Sequence, residues 1–387
     1  MQDIGEFVEF GGEDDWEVVR RFLPVGWENK ARELGALRRC RNFSGADALL
    51  RTLLIHLADG CSLRETVVRA HQGGLVSVSD VALLKRLKAS GEWFRWMAER
   101  VMQDWIALQP SAVFGHDVRV RVIDGSIVSE PGKTGSQWRL HYSMRLPTLR
   151  CDEVHVTSRK TGETLKRFTV QQGDLFIADR GFAHRKGIRH VVDGGGDVLV
   201  RLNLQNVPLE DAHGNAFPLL DKLRELRGTR LGDWDVYISD DKWRFGGRVC
   251  ALKKSKAAAE KARRKTLKEN GKRHKVKPET IEAAGYIFVF TTLDRRFTPT
   301  TVLEMYRGRW QVELVFKRLK SIINLGHLKK TDAESSLAWL HGKLLVAFLI
   351  EAMIAAGDKF FPWGYPIASP GQAPTLPMPL AGDQLHA

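Results

Sequence analysis

The sequence predicts a mixed α/β protein in which a helical N-terminal region precedes a strand-rich centre and a second helical region. Three observations support this order. Before residue 105, serines stand ahead of apolar runs, as they do where helices begin. Between about 115 and 293, short segments alternate in polarity or are continuously apolar, which is typical of strands. After Thr298 the apolar spacing becomes helical again.

The N-terminal region carries recognisable helix starts. Ser44 is placed to cap a run through Leu57, and Ser62 with Glu65 forms the S-x-x-E capping pattern. These features predict that residues 1–110 form a helical domain.

A helix pair in this region has a basic face. A turn at Gly73-Gly74 leads to Ser79, which can cap a second helix, and the pair resembles a helix-turn-helix. Three cations are predicted to face outward, namely Lys85, Arg86 and Lys88. A helical bundle with a solvated basic face explains the same residues, so both interpretations stay open.

The centre of the chain predicts strands at eight places. The run 175–179 (LFIAD) is continuously apolar up to its aspartate, as expected for a strand buried on both faces. The other predicted strands are 118–124, 138–146, 152–158, 197–203, 234–238, 248–254 and 286–293. Two long helices should follow, ending near Ala356. The last residues, 359–387, are rich in proline and glycine and are predicted to be disordered.

The charge of the chain indicates a polyanionic partner. The formal net charge is +14 and the isoelectric point is near 9.7, which favours nucleic acid or an anionic membrane. The most apolar run, 344–356, is shorter than the roughly 20 residues that span a bilayer and contains Glu351. Four widely spaced cysteines and an acidic N-terminus predict a cytoplasmic protein without zinc or disulfides.

Most of the surplus charge lies in one segment. Residues 253–277 contain 12 Lys or Arg and 2 Glu, a density that suits contacts with phosphates. The cations singled out as DNA contacts are Lys261, Arg263, Arg264 and Lys265. A solvated basic helix is the alternative.

Two aspartates follow predicted strands. Asp124 closes VRVRVID and Asp179 closes LFIAD. Ligands bind outside the carboxyl ends of strands in open α/β sheets, so the two carboxylates are candidates for a shared site. Either one alone would more often be a residue that caps a turn.

A third acidic residue lies in a spaced pattern. The pattern Y-x2-R-x3-E-x6-K comprises Tyr306, Arg309, Glu313 and Lys320. On one continuous helix these residues would share an arc of about 60°. The face would offer one carboxylate, two cations and a phenol. A surface ladder of ion pairs is the alternative explanation.

Together, the segments VIDGS, GDLFIADRGF and Y-x2-R-x3-E-x6-K resemble the insertion-sequence-four family of DDE transposases, over residues 60 to 365. The resemblance implies an RNase H-like catalytic core, at 111–203 and 286–358. It also implies a β-rich basic insertion at 204–285, between the second aspartate and the glutamate, and makes the helical N-terminal domain DNA-binding. Because the resemblance stops at 362–366, the tail is interpreted as truncated.

The resemblance also implies a function. The protein would bind terminal inverted repeats in double-stranded DNA as a homodimer, without a membrane, in a bacterial cytoplasm at the nucleoid. Asp124, Asp179 and Glu313 would hold two Mg²⁺ ions, with Mn²⁺ as a substitute, for strand cleavage and transfer. Phosphates would be contacted by Tyr306, Arg309 and Lys320, and a flipped base would stack on Tyr286. Two alternatives stay open, a metal-dependent nuclease on the same core and a decayed, non-catalytic DNA-binding protein.

Overall fold

A computed structural model of the chain describes residues 15–38, 42–106, 118–129, 137–146, 148–240, 242–270, 276–321, 323–326, 328 and 332–357. The predicted disordered segment 359–387 lies outside these residues. The described residues form two compact units. The first takes them from Met1–Gln109, Ile127–Trp138 and Arg318–Pro374, and the second from Pro110–Ser126 and Arg139–Lys317.

The first unit is built largely of helices. Its N-terminal elements are α1 (Asp15–Arg20), α2 (Trp27–Glu33), α3 (Ala46–Leu57), α4 (Leu63–Gln72), α5 (Asp80–Ala89) and α6 (Gly91–Ile106). The side chains of Ser62 and Ser79 accept hydrogen bonds at the starts of α4 and α5, which confirms both predicted caps. The cap predicted at Ser44 is wrong, because Gly45 occupies that position in extended backbone.

The basic face predicted on α5 is partly used inside the protein. Lys88 pairs with Asp332 at 3.0 Å, and Arg86 donates a hydrogen bond to the carbonyl of Ala36 at 3.3 Å. Lys85 is exposed. Two of the three cations therefore have protein partners, which favours the bundle interpretation for them.

A long C-terminal helix, α13 (Ala333–Gly357), completes the first unit and packs on α3, α5 and α6. Gly342 lets it approach Leu57 closely, since a Cβ there would overlap the leucine methyls. Within the described residues, α13 alone is long and apolar enough to cross a bilayer, but 72% of its most apolar window is buried. Core helices of soluble proteins share that property. Helix α13 falls in the first unit together with the N-terminal helices, whereas the sequence assigned it to the core at 286–358.

The second unit is built around a mixed sheet. Its strands are β1 (Arg119–Ser129), β2 (Gln137–Arg145), β3 (Arg150–Ser158), β4 (Asp174–Ala178), β5 (Asp197–Arg201), β6 (Gly232–Asp240), β7 (Trp243–Lys253) and β8 (Tyr286–Thr291). Each strand that the sequence predicted is present. The order across the described sheet is β3-β2-β1-β4-β5-β8-β7-β6. Strands β6, β7 and β8 therefore extend the same sheet instead of forming a separate one.

The middle of the sheet is parallel, with β4 between β1 and β5. All five residues of β4 are buried, as expected for a strand covered on both faces. Its N-terminal end is fixed by ion pairs from Arg121, which contacts Asp152 and Glu153 at 2.8 Å and Asp174 at 3.2 Å. These contacts join β1, β3 and β4 and set their register.

Helices complete the second unit. They are α7 (Arg185–Asp193), α8 (Leu219–Arg224), α9 (Lys256–Asn270), α10 (Pro278–Ala283), α11 (Pro299–Arg307) and α12 (Trp310–Ser321), the last of which runs on into the first unit. Phe316 of α12 meets the ring of Tyr142 on β2 edge-on, with centroids 5.7 Å apart. This contact places the start of α12 over the sheet.

Candidate active site

The two aspartates come from neighbouring parallel strands. Ile123 of β1 is paired with Ala178 of β4, so the residues that follow them, Asp124 and Asp179, stand side by side at one edge of the paired region. The sequence was wrong in ending the first strand at Asp124, because β1 continues in extended conformation to Ser129. Pairing with β4 nevertheless stops there, since the chain enters a 3₁₀ turn after Asp179.

The signature segment forms two helices rather than one. Helix α11 ends at Arg307 and α12 begins at Trp310. The predicted continuous face is therefore wrong. Arg309 donates its amide hydrogen bond to Tyr306, three residues back, which tightens the chain at Gly308. Gly308 also lies close to Leu146, where a Cβ would approach a leucine methyl at 3.1 Å. Tertiary packing has broken the helix at its glycine.

Despite the break, Tyr306 and Arg309 contact the aspartates, and Arg309 also contacts Glu313. The Arg309 guanidinium lies 3.4 Å from Asp124 Oδ2 through Nη1 and 2.6 Å from Glu313 Oε1 through Nη2. The hydroxyl of Tyr306 donates to Asp179 Oδ1 at 3.5 Å. One guanidinium thus joins the first aspartate to the glutamate, while the phenol faces the second aspartate.

The two aspartates have opposite pKa shifts. Burial, together with the carboxylates of Asp179 and Glu163, raises the pKa of Asp124 to about 6, against the Gly125 amide and Arg309. Burial also acts upward on Asp179, but the Arg180 amide and three guanidinium groups outweigh it and lower its pKa. Paired carboxylates with pKa values pushed apart are typical of catalytic sites.

Burial shapes the other two groups as well. It raises the pKa of Tyr306 to about 12, with a further contribution from the charge of Asp179. Burial acts downward on the pKa of Arg309, but the neighbouring phenol and carboxylates reverse the effect and raise it. Both groups therefore stay protonated, so they serve as hydrogen-bond donors at neutral pH.

The donor chemistry of the two aspartates fits a hard divalent cation. The cationic Arg309 between Asp124 and Glu313 shows that these carboxylates accommodate positive charge. Glu313 is held by Arg309 with its side chain 54% exposed. Among the described residues, no three acidic, histidine or cysteine side chains form a group that could hold an ion. The aspartates thus fit a cation, while the glutamate does not join them in this conformation.

The remaining predicted DNA contacts are on α12 and α9. Lys320 is exposed near the end of α12, in the part of the chain that belongs to the first unit. The predicted basic segment contains α9, whose exposed cations include Lys261, Arg263, Arg264 and Lys265. Arg264 pairs with Glu260 on the same helix at 2.5 Å. Their contacts with DNA stay predictions.

The predicted stacking residue is buried. Tyr286 is 7% exposed and belongs to the hydrophobic core beneath β8. Because β8 lies between β5 and β7, this burial favours a core residue, and the role in stacking on a base stays a prediction. The aromatic exposed beside the site is instead Trp310, at 51%. The sequence could have drawn attention to it, since it follows Arg309 directly.

Three cations near the site carried no assignment from the sequence: Arg180 and Arg201 act on Asp179, and Lys254 lies near both arginines. Arg180 follows Asp179, Arg201 ends β5, and Lys254 follows β7. Burial and the charges of both arginines lower the pKa of Lys254 to about 8. Within the described chain, neither arginine forms an ion pair with a carboxylate. The position of Arg201 at the end of a parallel strand could have revealed it.

Comparisons with known proteins agree with this architecture. A sequence model of the family described as Transposase DDE domain matches residues 151–349. InsL, named as a transposase of insertion sequence element IS186A from Escherichia coli K12, is 33% identical over 90% of this chain and 96% of its own length. The transposase for insertion sequence element IS421, from Escherichia coli, is 32% identical over the same shares. The transposase for IS231F, from Bacillus thuringiensis subsp. israelensis, is 24% identical over 90% of this chain and 80% of its own length.

A mixed sheet that carries adjacent aspartates, with a glutamate on a following helix and an arginine just before that helix, defines an enzyme with a carboxylate site. The family match extends over half of the chain, and the relatives from Escherichia coli match almost from end to end. The chain belongs to the DDE transposases, enzymes that cleave DNA and transfer its strands. The similarity to InsL and the IS421 protein confirms the predicted relation to insertion-sequence transposases.

Proposed function

We propose that this protein is the transposase of an insertion sequence, and that it cleaves and joins DNA with Asp124, Asp179 and Glu313. The observation that carries the proposal is the pair of aspartates on adjacent parallel strands, with Arg309 linking the first of them to Glu313. Family membership supports the reaction, and the geometry supports the choice of residues.

The catalytic core is proposed to be RNase H-like. The strand order β3-β2-β1-β4-β5, with β4 parallel to both neighbours, supports it. Strands β6 and β7 together with the basic helix α9 would then be the predicted insertion, which continues the sheet beyond β8. The N-terminal helices would form the DNA-binding domain.

Two divalent cations, Mg²⁺ with Mn²⁺ as a substitute, would be held by Asp124 and Asp179, and Glu313 would complete the set. When bound, they would activate the attacking oxygen and stabilise the leaving oxygen at the phosphate. Arg309 already contacts Asp124 and Glu313 through its two terminal nitrogens, so a single guanidinium group separates these two carboxylates. Tyr306, through its hydroxyl, orients the Asp179 carboxylate.

The cations around the site are proposed to hold the phosphates of the DNA. Arg180 and Arg201 lack carboxylate partners among the described residues, and Lys254 is close enough to both for their charges to repel. A phosphodiester would relieve this repulsion, because cations that neutralise phosphates supply much of the affinity for DNA. Lys320 and the cations of α9 are proposed as further contacts with phosphates. Arg309 is proposed to contact a phosphate when it leaves its carboxylate partners.

Insertion-sequence transposases act on two DNA ends, so we expect a homodimer in the DNA complex and a location at the bacterial nucleoid. The test of function is a strand-transfer assay on labelled DNA that carries the terminal repeats of the element. Wild-type protein with Mg²⁺ should cleave the end and join it to target DNA. EDTA should stop both steps.

The same assay tests the three carboxylates. Asp124→Asn, Asp179→Asn and Glu313→Gln preserve side-chain shape but remove the charge that attracts the cation. Each should lower both rates by several powers of ten while DNA binding persists. A variant that kept near-wild-type activity would remove its residue from the proposed set. Cleavage without joining would favour the nuclease, and binding without cleavage would favour a decayed DNA-binding protein.

A further inference from the structure

A fourth carboxylate lies against the backbone of the site. Glu163, in the loop after β3, packs on the two glycines that follow the aspartates. A Cβ on Gly125 would lie 3.0 Å from Glu163 Oε1, and a Cβ on Gly181 would overlap Glu163 Oε2. One side chain therefore contacts both segments that carry the catalytic aspartates.

This contact explains why both positions are glycine. Neither Gly125 nor Gly181 has a positive φ angle, so backbone conformation does not require glycine at either place. Alanine would be conformationally acceptable at both places, but its methyl would meet the Glu163 carboxylate, which would have to move. The two glycines and the glutamate therefore form one packing unit.

The side of the sheet on which Glu163 lies determines what it does. Successive side chains of a strand point to opposite faces. Glu163 occupies the position where a side chain of Gly125 would be, so it lies across the backbone from the Asp124 carboxylate. It therefore supports the backbone of the strand beside Asp124.

The carboxylate is anchored on a third strand. Arg139 of β2 lies 3.4 Å from Glu163 Oε1 through Nη1, and both side chains are largely buried. The loop after β3, β2, β1 and the turn after β4 are thus joined through a single side chain. Movement of Glu163 would disturb Asp124 and Asp179 together.

From these contacts we infer that Glu163 is a positioning residue, a brace that fixes the separation of Asp124 and Asp179. The inference rests on the proposed function for its catalytic consequence. It acts through shape, with the Arg139 ion pair holding the carboxylate in place. Errors of about 1 Å in the placement of reacting groups can lower a rate about a hundredfold, so such a brace affects catalysis.

A double-mutant cycle tests the brace. Gly181→Ala should lower single-turnover cleavage about a hundredfold, because the new methyl displaces the Glu163 carboxylate. Glu163→Ala should cost about tenfold, and the double variant should match Glu163→Ala within about twofold. The second change thus rescues the first. Affinity for DNA should stay within about twofold throughout, since contacts with phosphates are untouched.

Two controls separate shape from charge and from general damage. Glu163→Gln retains the shape and an oxygen for Arg139, so it should keep activity within about threefold. Gly162→Ala adds a methyl beside Glu163 where nothing lies within 4 Å, so it should behave as wild type. A Gln variant as impaired as the Ala variant would overturn a brace that acts through shape.

The cycle is also measured by Mn²⁺ binding to the DNA-free protein, using electron paramagnetic resonance. Gly181→Ala should weaken Mn²⁺ affinity about tenfold in the wild-type background and hardly at all without Glu163. Equal losses from Gly181→Ala in both backgrounds, by either readout, would overturn the inference. If the wild type failed to cleave DNA, the proposed function would be wrong. The double-mutant cycle measured by Mn²⁺ binding would still show whether Glu163 positions the two aspartates.

Discussion

At the scale of residues, the site is an arrangement of opposed charges. Asp124 is buried beside other carboxylates and has a raised pKa, whereas Asp179 is surrounded by guanidinium groups and has a lowered one. Arg309 stands between the two carboxylates that it contacts, Asp124 and Glu313. The protein therefore holds one carboxylate in an unfavourable environment, and a bound cation would relieve it.

This environment predicts a stability effect with a definite sign. A folded pKa raised from 3.8 to about 6 means that the folded protein holds the Asp124 proton more tightly than the unfolded chain. The protonated Asp124 side chain therefore contributes to the free energy of unfolding below about pH 4, and this contribution is lost as pH rises through 6. In EDTA at pH 8, Asp124→Asn should therefore stabilise the protein by about 3 kcal/mol, with little effect at pH 4. Thermal melting at both pH values measures it.

Asp179 supplies the matched control. Its pKa is lowered on folding, so its contribution to stability is present above the unfolded pKa and is lost as pH falls through the lower folded value. Asp179→Asn should consequently destabilise the protein at pH 8, opposite to Asp124→Asn. Parallel destabilisation by both variants at pH 8 would contradict the contrast between the two environments.

The aromatic residues give a second prediction at this scale. Trp310→Ala should leave the melting temperature almost unchanged but slow the cleavage of intact duplex ends, since stacking on a base contributes about 1–3 kcal/mol. Tyr286→Ala should lower the free energy of unfolding by about 3–5 kcal/mol, as other buried aromatics do. DNA ends with an abasic nucleotide at the stacked position should restore the cleavage rate of the Trp310→Ala variant but not that of the Tyr286→Ala variant. Equal losses on both substrates would exclude stacking by Trp310.

At the scale of elements, the sequence predicted the strands well because their signal is local. Alternation and apolar runs located β1 to β8, and the S-x-x-E pattern located the start of α4. The break between α11 and α12 was missed. A regular spacing from Tyr306 to Lys320 favours one helix, whereas Gly308 and its close contact with Leu146 depend on packing that spacing does not record.

The site was predictable to the same extent. Asp124, Asp179 and Glu313 stand in recognisable segments. The structure also brings Arg309 and Tyr306 to the aspartates, a contact that the spacing did not predict. Arg201, Lys254 and Glu163 come from separate segments and meet the site only through the fold. No periodicity marks such residues, because a single side chain at a strand end or in a loop carries no repeated signal.

The basic helix α9 gives a prediction for a whole element. Changing its exposed cations to glutamine, at Lys261, Arg263, Arg264 and Lys265, should reduce the salt dependence of DNA binding. The slope of log K against log salt should flatten by up to about 0.9 for each phosphate that the helix no longer neutralises. Filter binding at several salt concentrations measures the slope, and circular dichroism confirms that the helix persists. An unchanged slope would mean that α9 is only solvated.

At the scale of the whole molecule, composition and packing answer different questions. The net charge of +14 predicted a polyanionic partner, and the family relation to transposases identifies that partner class as DNA. Net charge carried no information about domain limits. The limit after residue 317 depends on α13, whose apolar surface packs on α3, α5 and α6. Long-range burial of that kind is invisible to local patterns.

Binding and catalysis should therefore be separable in the intact protein. A variant with Asp124→Asn, Asp179→Asn and Glu313→Gln loses three negative charges beside the proposed phosphate contacts, so its formal charge rises from +14. In EDTA it should bind DNA at least as tightly as the wild type, with a salt slope that is unchanged or steeper, because no cation that neutralises phosphate has been removed. Cleavage should be absent with Mg²⁺ or Mn²⁺.

The wild type measured in EDTA is the matched reference for the triple variant. The glutamine variant of α9 should show the opposite behaviour: it should bind DNA more weakly, but it should still cleave DNA that is bound under saturating, low-salt conditions. Electrophoretic mobility shifts and single-turnover cleavage on the same preparations compare the three proteins. If the triple variant bound DNA more weakly than the wild type in EDTA, the carboxylates would be supporting the DNA-binding surface itself. The division between a cationic surface that binds and an acidic site that reacts would then be wrong.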